Sequence, residues 1–283
     1  MTELLDALPR RARWPLLTGA MAVGAATLAY ATQIEWRWLK PVWRTVLLPT
    51  LPHALDGLRI LHLSDTHIGG LHSGADHVRA ARRLPADLVV ITGDMVQGDG
   101  QIEAGARLLG GFDAPLGTWA VLGNHDYSYP RCAINTTRLV AALAEHGVRV
   151  LRDSAARLAW RGAELWLAGT DDPHHRRHNL AATLAEVPPE PFTLLLTHSP
   201  DSVLELAPGR VALALTGHTH GGQVRLPLLP PLTNTRRQFP HPHGLQTVNG
   251  TPVHFHVGMG NLIPLRFGVR PEAVVLTLRR AAS

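Results

Sequence analysis

RILHLSDTHIGGLHSGADHVRAARRLPADLVVITGD, residues 59–94, decides the fold class. Two short apolar runs, 59–64 and 87–92, flank a stretch of mixed polarity. Runs of this length, rich in Leu, Ile and Val and bounded by turn residues, read as buried strands. Between them, 73–84 reads as a helix, with Ser73 as its N-cap and Pro85 just beyond its end. A strand–helix–strand unit whose strands are almost wholly apolar predicts a sheet covered by helices.

The same rhythm continues outward from this unit. Helices are expected over 102–109 and 137–146, the second closed by Gly147, a C′ position that favours glycine. Strands are expected over 118–122, 192–197, 211–216, 251–257 and 273–279, and a hairpin over 157–168 turns at Arg161-Gly162. The late strands, set among Pro and Gly, predict a second sheet. The expected fold is therefore α/β, a two-sheet β-sandwich flanked by helices in four layers, α/β/β/α. No internal repeat is present.

Composition narrows the function classes. The 283 residues are 45% hydrophobic with mean hydropathy +0.02, which describes a chain that buries a core rather than a disordered one. Cys132 is the sole cysteine, so an intrachain disulfide and a cysteine-based zinc cluster are excluded. The pI near 10.3 invites a nucleic-acid reading, but the formal net charge is only +5. Lys40 is the only lysine and the arginines form no long basic runs. No nucleic-acid partner is expected. The 17 histidines stand out, because imidazole is the commonest metal ligand and titrates near neutrality.

The residues just past each predicted strand carry the chemistry. Asp65-Thr66-His67 succeeds the first strand and Gly93-Asp94 the second. Gly123-Asn124-His125-Asp126 succeeds the third, His198 the run at 192–197, and Gly217-His218-Thr219-His220 the run at 211–216. In α/β sheets the carboxyl ends of strands are where ligands bind, so these groups should converge on one crevice. Asp and Asn oxygens with His nitrogens suit Mn, Fe or Zn rather than Mg or Ca. If the strands continue, D-x-H and H-x-H spacing sets each pair on one face. The set exceeds the needs of one tetrahedral ion and suits two ions ~3.5–4 Å apart that share a carboxylate, with Asp94 the natural bridge. Two such ions would supply a hydroxide nucleophile at neutral pH.

The ordered blocks D-x-H, G-D, G-N-H-D, a lone H and G-H-x-H resemble those of the calcineurin-like metallophosphoesterases. THSPD (197–201), GHTHGGQ (217–223) and MGNLIPLRFGVRPE (259–272) resemble its membrane-associated or exported bacterial branch, similar to UDP-2,3-diacylglucosamine hydrolases. The resemblance implies that Asp65, His67, Asp94 and His220 hold one metal, and that Asp94, Asn124, His198 and His218 hold the other. It further implies that His125 acts on the substrate as a general acid without ligating metal, oriented by Asp126. A phosphohydrolase acting on phosphodiester or pyrophosphate bonds of a lipid or envelope-related substrate is expected. The alternatives are a phosphomonoesterase on phosphoprotein or a small metabolite, and a non-catalytic metal-binding envelope protein. The chain is read as a monomer.

Residues 14–31, WPLLTGAMAVGAATLAYA, carry no charge and come after Arg10, Arg11 and Arg13. The run is at the lower limit for spanning a bilayer and also fits a signal peptide ending at Ala29-Tyr30-Ala31. Residues 1–32 are therefore read as a signal or membrane anchor, 33–57 as a linker and edge strand, and 58–283 as the phosphoesterase domain. The basic start favours a catalytic domain outside the cytoplasm, at the cell membrane. Outside the motifs, His174, His175 and His178 beside Asp171 and Asp172 are read as a solvated loop. His241 and His243 are read as exposed, and His254 and His256 as facing either the site or solvent. Arg266 is read as either a phosphate ligand or a member of a structural ion pair, and Trp14, Trp36, Trp38 and Trp43 as interfacial anchors or packing groups.

Overall fold

The strand–helix–strand unit at 59–94 is the seed of one of two six-stranded sheets in a computed structural model. That structure describes residues 10–281 apart from 128–132, 176, 190–191, 227–228, 230, 233–237 and 262–263. The sole cysteine, Cys132, and the first nine residues lie outside the described residues, as do parts of 226–244.

Helix α1 (Arg10–Ala29) precedes β1 (Lys40–Leu48), β2 (Arg59–Leu63), α2 (Ala75–Ala81), β3 (Leu88–Thr92), α3 (Ile102–Leu109) and β4 (Thr118–Val121). Then come α4 (Thr136–Glu145), β5 (Val148–Val150), β6 (Ser154–Trp160), β7 (Ala163–Gly169), α5 (Leu180–Ala185), β8 (Thr193–Leu196) and β9 (Leu213–Thr216). The last strands are β10 (Gly244–Val248), β11 (Thr251–Phe255) and β12 (Glu272–Arg280). The first sheet runs β1-β12-β2-β3-β4-β5 and the second β10-β11-β9-β8-β7-β6. Within the first, β2, β3 and β4 are mutually parallel, and within the second so are β7, β8 and β9. The carboxyl ends of the strands that carry the motifs are thus gathered at one edge of each sheet.

Side-chain alternation builds the layers. On β2, Ile60 packs between the sheets with Leu88 and Val90 of β3, Leu194 of β8 and Leu213 of β9. Its neighbours Leu61 and Leu63 point the other way, against Val78 of α2, Ala106 and Leu109 of α3 and Leu139 of α4. A one-residue register slip would exchange these two faces, and each buried Leu or Ile contributes roughly 1.5–3 kcal/mol. Val253 and Phe255 of β11 and Leu195 of β8 form a third cluster on the outer face of the second sheet. Arg59 locks β2 to β3 through a forked pair with Asp87, Nε and Nη2 lying 3.0 and 2.9 Å from the two carboxylate oxygens.

Several local expectations shift. The helix of the seed unit is N-capped by Gly74 rather than Ser73, whose hydroxyl instead accepts from the amide of Ala75. The edge strand begins at Lys40 and pairs in parallel with β12 over its full length. The hairpin turns where expected, with Arg161 and Gly162 both at positive φ. His254 and His256 face neither solvent nor the crevice. With His62 they lie fully buried between the sheets, His62 Nδ1 lying 2.9 Å from His254 Nδ1. Burial holds all three rings below the ordinary histidine range, so they stay neutral.

Candidate metal centre

Each motif residue sits just past a strand end. Asp65 and His67 come after β2, Asp94 after β3, and Asn124, His125 and Asp126 after β4. His198 comes after β8, and His218 and His220 after β9. The pairs do not share a strand face, because the strands stop first. Asp65, His67, Asp94, His218 and His220 all hold positive φ, between 42° and 67°. Non-glycine residues rarely adopt this region, and such strain of order 1–3 kcal/mol each clusters at functional sites. It turns successive side chains inward from tight loops. Gly93, at φ +84°, allows a close approach: a Cβ there would lie 2.6 Å from Gly123 N and 2.7 Å from His198 Nδ1.

The described side chains meet in two overlapping groups. Asp65, His67 and His220 form one three-residue set able to hold a cation, and Asp65, Asp94 and His198 another. His220 Nε2 is 3.2 Å from Asp65 Oδ1, and the His67 and His220 rings stack with centroids 5.4 Å apart. Around His198 Nε2 stand Asn124 Oδ1 at 3.2 Å, His218 Nδ1 at 3.2 Å and Asp94 Oδ2 at 3.4 Å. Asp94 Oδ2 also lies 3.8 Å from His67 Nε2, so one oxygen faces both groups. The other, Oδ1, is held by the His125 amide at 2.8 Å.

The surroundings fix which ring nitrogen faces the centre. A carbonyl only accepts, so His198 Nδ1 donates to Thr92 O at 2.7 Å and Nε2 is the nitrogen left facing the centre. His67 Nδ1 lies 3.1 Å from Gln97 Oε1 and likewise points Nε2 inward. That Nε2 is buried without a hydrogen-bond partner among the described residues. A buried donor set with an orphaned nitrogen and hard oxygens fits a bound cation. Electrostatics agree. Burial works against ionisation of Asp65 and Asp94, but the neighbouring imidazoles outweigh it, and both carboxyls lie below the usual range. Burial alone would discharge His198; the Asp94 and Asp65 carboxylates outweigh it and raise the ring to about 10. The crevice thus holds concentrated negative charge that draws in a positive partner.

Two expectations are corrected here. Asp126 does not reach the His125 ring. Its carboxylate accepts from three backbone amides, those of Asp94 and Met95 at 2.8 Å and of Gly123 at 2.9 Å. Burial, then the adjacent Asp94 charge, push Asp126 up to about 7 against these donors. It positions the Asp94 and Gly123 loops rather than an imidazole. Arg266 forms no ion pair among the described residues and presents no exposed surface to a ligand. It is fully buried, and its guanidinium donates to Asn261 Oδ1 and to the carbonyls of Gly258, Gly260 and Val269.

His125 stands beside the centre, its ring 5.5 Å from that of His67. The loop 171–178 is not simply solvated. Asp171 and Asp172 are buried, and His174, paired with Asp172 at 3.1 Å, lays its ring 4.3 Å from that of His218. His178 pairs with Glu205 instead, and the His175 side chain lies outside the described residues. His241 is exposed, while His243 is half-buried 3.5 Å from Glu272. Sequence reasoning missed Gln97, Thr92 and His174. Only His174, in a His-rich tract, carried a signal.

Residues 58–222 match the family model for the calcineurin-like phosphoesterase domain. The chain is similar to YkuE, an uncharacterized metallophosphoesterase of Bacillus subtilis, with 29% identity over 92% of this chain and 94% of that one. It is similar to the phosphodiesterase YaeI of Escherichia coli, with 28% identity over 90% and 96%. It also resembles the UDP-2,3-diacylglucosamine pyrophosphatase LpxG of Chlamydia trachomatis, with 26% identity over 77% and 80%.

Proposed function

This chain belongs to the calcineurin-like phosphoesterase family of metal-dependent hydrolases, and we propose that it cleaves phosphodiester or pyrophosphate bonds at a two-cation centre. The observation that carries this reading is the meeting of Asn124, His218 and Asp94 around His198 Nε2 beside the Asp65–His67–His220 group. In this reading Asp65, His67, Asp94 and His220 hold one ion, and Asp94, Asn124, His198 and His218 the other. Mn, Fe or Zn suits this oxygen–nitrogen set. When bound, two such ions acidify water and neutralise charge on the phosphoryl oxygens.

The protein supplies positioning and a proton. Thr92 and Gln97 orient the rings of His198 and His67, so both present Nε2 to the crevice. Asp126 ties the Asp94 and Gly123 loops together through their amides. His125, beside the centre, protonates the departing oxygen, a contribution of ~10²–10⁴-fold for a general acid. His174 braces the His218 ring from the outside.

The substrate is lipid or envelope-related and the protein sits at the cell membrane with its domain outside the cytoplasm. The segment Trp14–Arg37 supports this, being long and apolar enough to cross a membrane and almost wholly exposed, unlike a core helix. The basic residues before it favour that orientation. Among the relatives, one is named for a diester and another for a lipid-like pyrophosphate. The test is an assay of the metal-stripped full chain with Mn, Fe, Zn or Mg restored. Bis-p-nitrophenyl phosphate should be turned over faster than the monoester, with Mn, Fe or Zn outperforming Mg. Preference for the monoester would favour a phosphomonoesterase, and metal uptake without turnover a non-catalytic metal-binding protein.

A further inference from the structure

Helix α1 is not a loose tether. It passes through a π-turn (Tyr30–Ile34) and a 3-10 turn (Glu35–Arg37) that are bonded into the loop before β12. Arg266 N donates to Ala31 O at 3.0 Å, and Gly268 N to the buried Glu35 carboxylate at 3.1 Å. Arg270 donates to the carbonyls of Trp38 and Leu39, and its guanidinium covers the Trp38 ring at 3.9 Å. The Arg266 side chain donates onward to Gly258 and Gly260 carbonyls, and Gly260 N donates to Asp65 O at 2.7 Å. Three hydrogen bonds therefore link the end of the apolar segment to a residue of the centre.

Two of the loops that carry the motifs expose large apolar side chains close by. Leu71, 94% exposed, lies four residues beyond His67, and Leu226 six residues beyond His220, with exposed Leu229 and Leu232 after it. At ~3.5 Å per residue, Leu71 is at most about 14 Å from His67 along the chain. The first of these loops touches the end of the apolar segment and the second reaches it through Phe267. His72 meets the Trp36 ring at 4.3 Å, and Val224 bridges to Phe267, whose ring meets Tyr30 edge-on at 6.3 Å. Tyr30 and Trp36 are six residues apart, roughly 9 Å of helix. Arg225, Arg270 and Lys40, together with Glu35 and Glu272, line a cleft of about 260 Å³ beside the end of this segment. Exposed leucines beside Tyr, Trp and Arg, where an apolar helix emerges, match the composition of a membrane–water boundary.

We infer that this rim, Leu71 with Leu226, Leu229 and Leu232, rests on the lipid surface that α1 enters, so that the metal centre opens at the headgroup level. The inference builds on the proposed membrane anchoring and narrows the substrate to an amphiphile. Its phosphoryl bond reaches the crevice while its acyl chains stay in the bilayer. The occupant is a bilayer because the rim is continuous with a segment of membrane-spanning length.

The test uses the full chain with Cys132→Ser, reconstituted in phosphatidylcholine–phosphatidylglycerol vesicles carrying lipids brominated near the headgroup. A fluorescent bimane is attached at Leu71→Cys, Leu226→Cys or Arg161→Cys, the last at the β6–β7 turn, at the end of the second sheet away from the centre. Roughly two-fold quenching is expected at 71 and 226, since interfacial groups sit ~5–10 Å into the headgroup–acyl boundary, and none at 161. Quenching at 71 and 226 no greater than at 161 would overturn the inference. Metal content and turnover of bis-p-nitrophenyl phosphate by the same samples report separately on the phosphohydrolase reading.

Discussion

Asp94→Asn is expected to empty the centre of metal and to lower phosphodiester turnover by about 10³–10⁴-fold, the loss of several kcal/mol of transition-state charge stabilisation. Asp94 is the residue whose single oxygen, Oδ2, faces His67 at 3.8 Å and His198 at 3.4 Å. An amide keeps the shape and can still accept from the His125 amide through its oxygen. It removes a negative charge from between two groups that the proposal assigns to different ions. Elemental analysis of the purified variant should show its metal lost, with the melting transition retained. A variant that keeps its metal and its rate would remove Asp94 from the shared position.

His125→Ala is expected to behave differently, keeping its metal and losing ~10²–10⁴-fold in rate. The side chain stands beside the centre, and the backbone amide that holds Asp94 survives the substitution. A lost general acid matters most when the leaving oxygen is strongly basic. The deficit should therefore be large for an alkyl diester and small for one releasing p-nitrophenolate. Loss of metal together with rate would make His125 a ligand instead. An equal deficit for both leaving groups would deny it the role of proton donor.

Much of this architecture is legible in residues 59–94. The continuous apolar run that becomes Leu88–Thr92 is buried on both faces, so burial leaves no polar alternation to confuse it. Sequence patterns miss elements that are short or decided by tertiary contact. Strand β5 has only three residues. Strand β10 is hidden by the Pro-rich segment before it, although Asn249-Gly250, both at positive φ, is the signature of the two-residue turn joining it to β11.

The site divides in the same way. The motif residues stand at strand ends, where topology alone predicts convergence. Their spacing suggests shared strand faces, whereas the backbone achieves the result through positive φ at five of them. Asp126, expected to orient an imidazole, serves three amides, because a buried carboxylate takes the nearest unpaired donors. Arg266 and the trio His62, His254 and His256 lack any local signal. Their burial depends on loops and sheets brought together from distant parts of the chain.

The most direct test of the two-cation centre is metal stoichiometry with electron paramagnetic resonance on the manganese-loaded full chain. Two ions per chain and an exchange-coupled signal are predicted, since ions sharing a carboxylate lie ~3.5–4 Å apart. A single ion per chain, or two ions giving only an isolated-manganese spectrum, would contradict the assignment of Asp94 and its neighbours to one bimetallic centre.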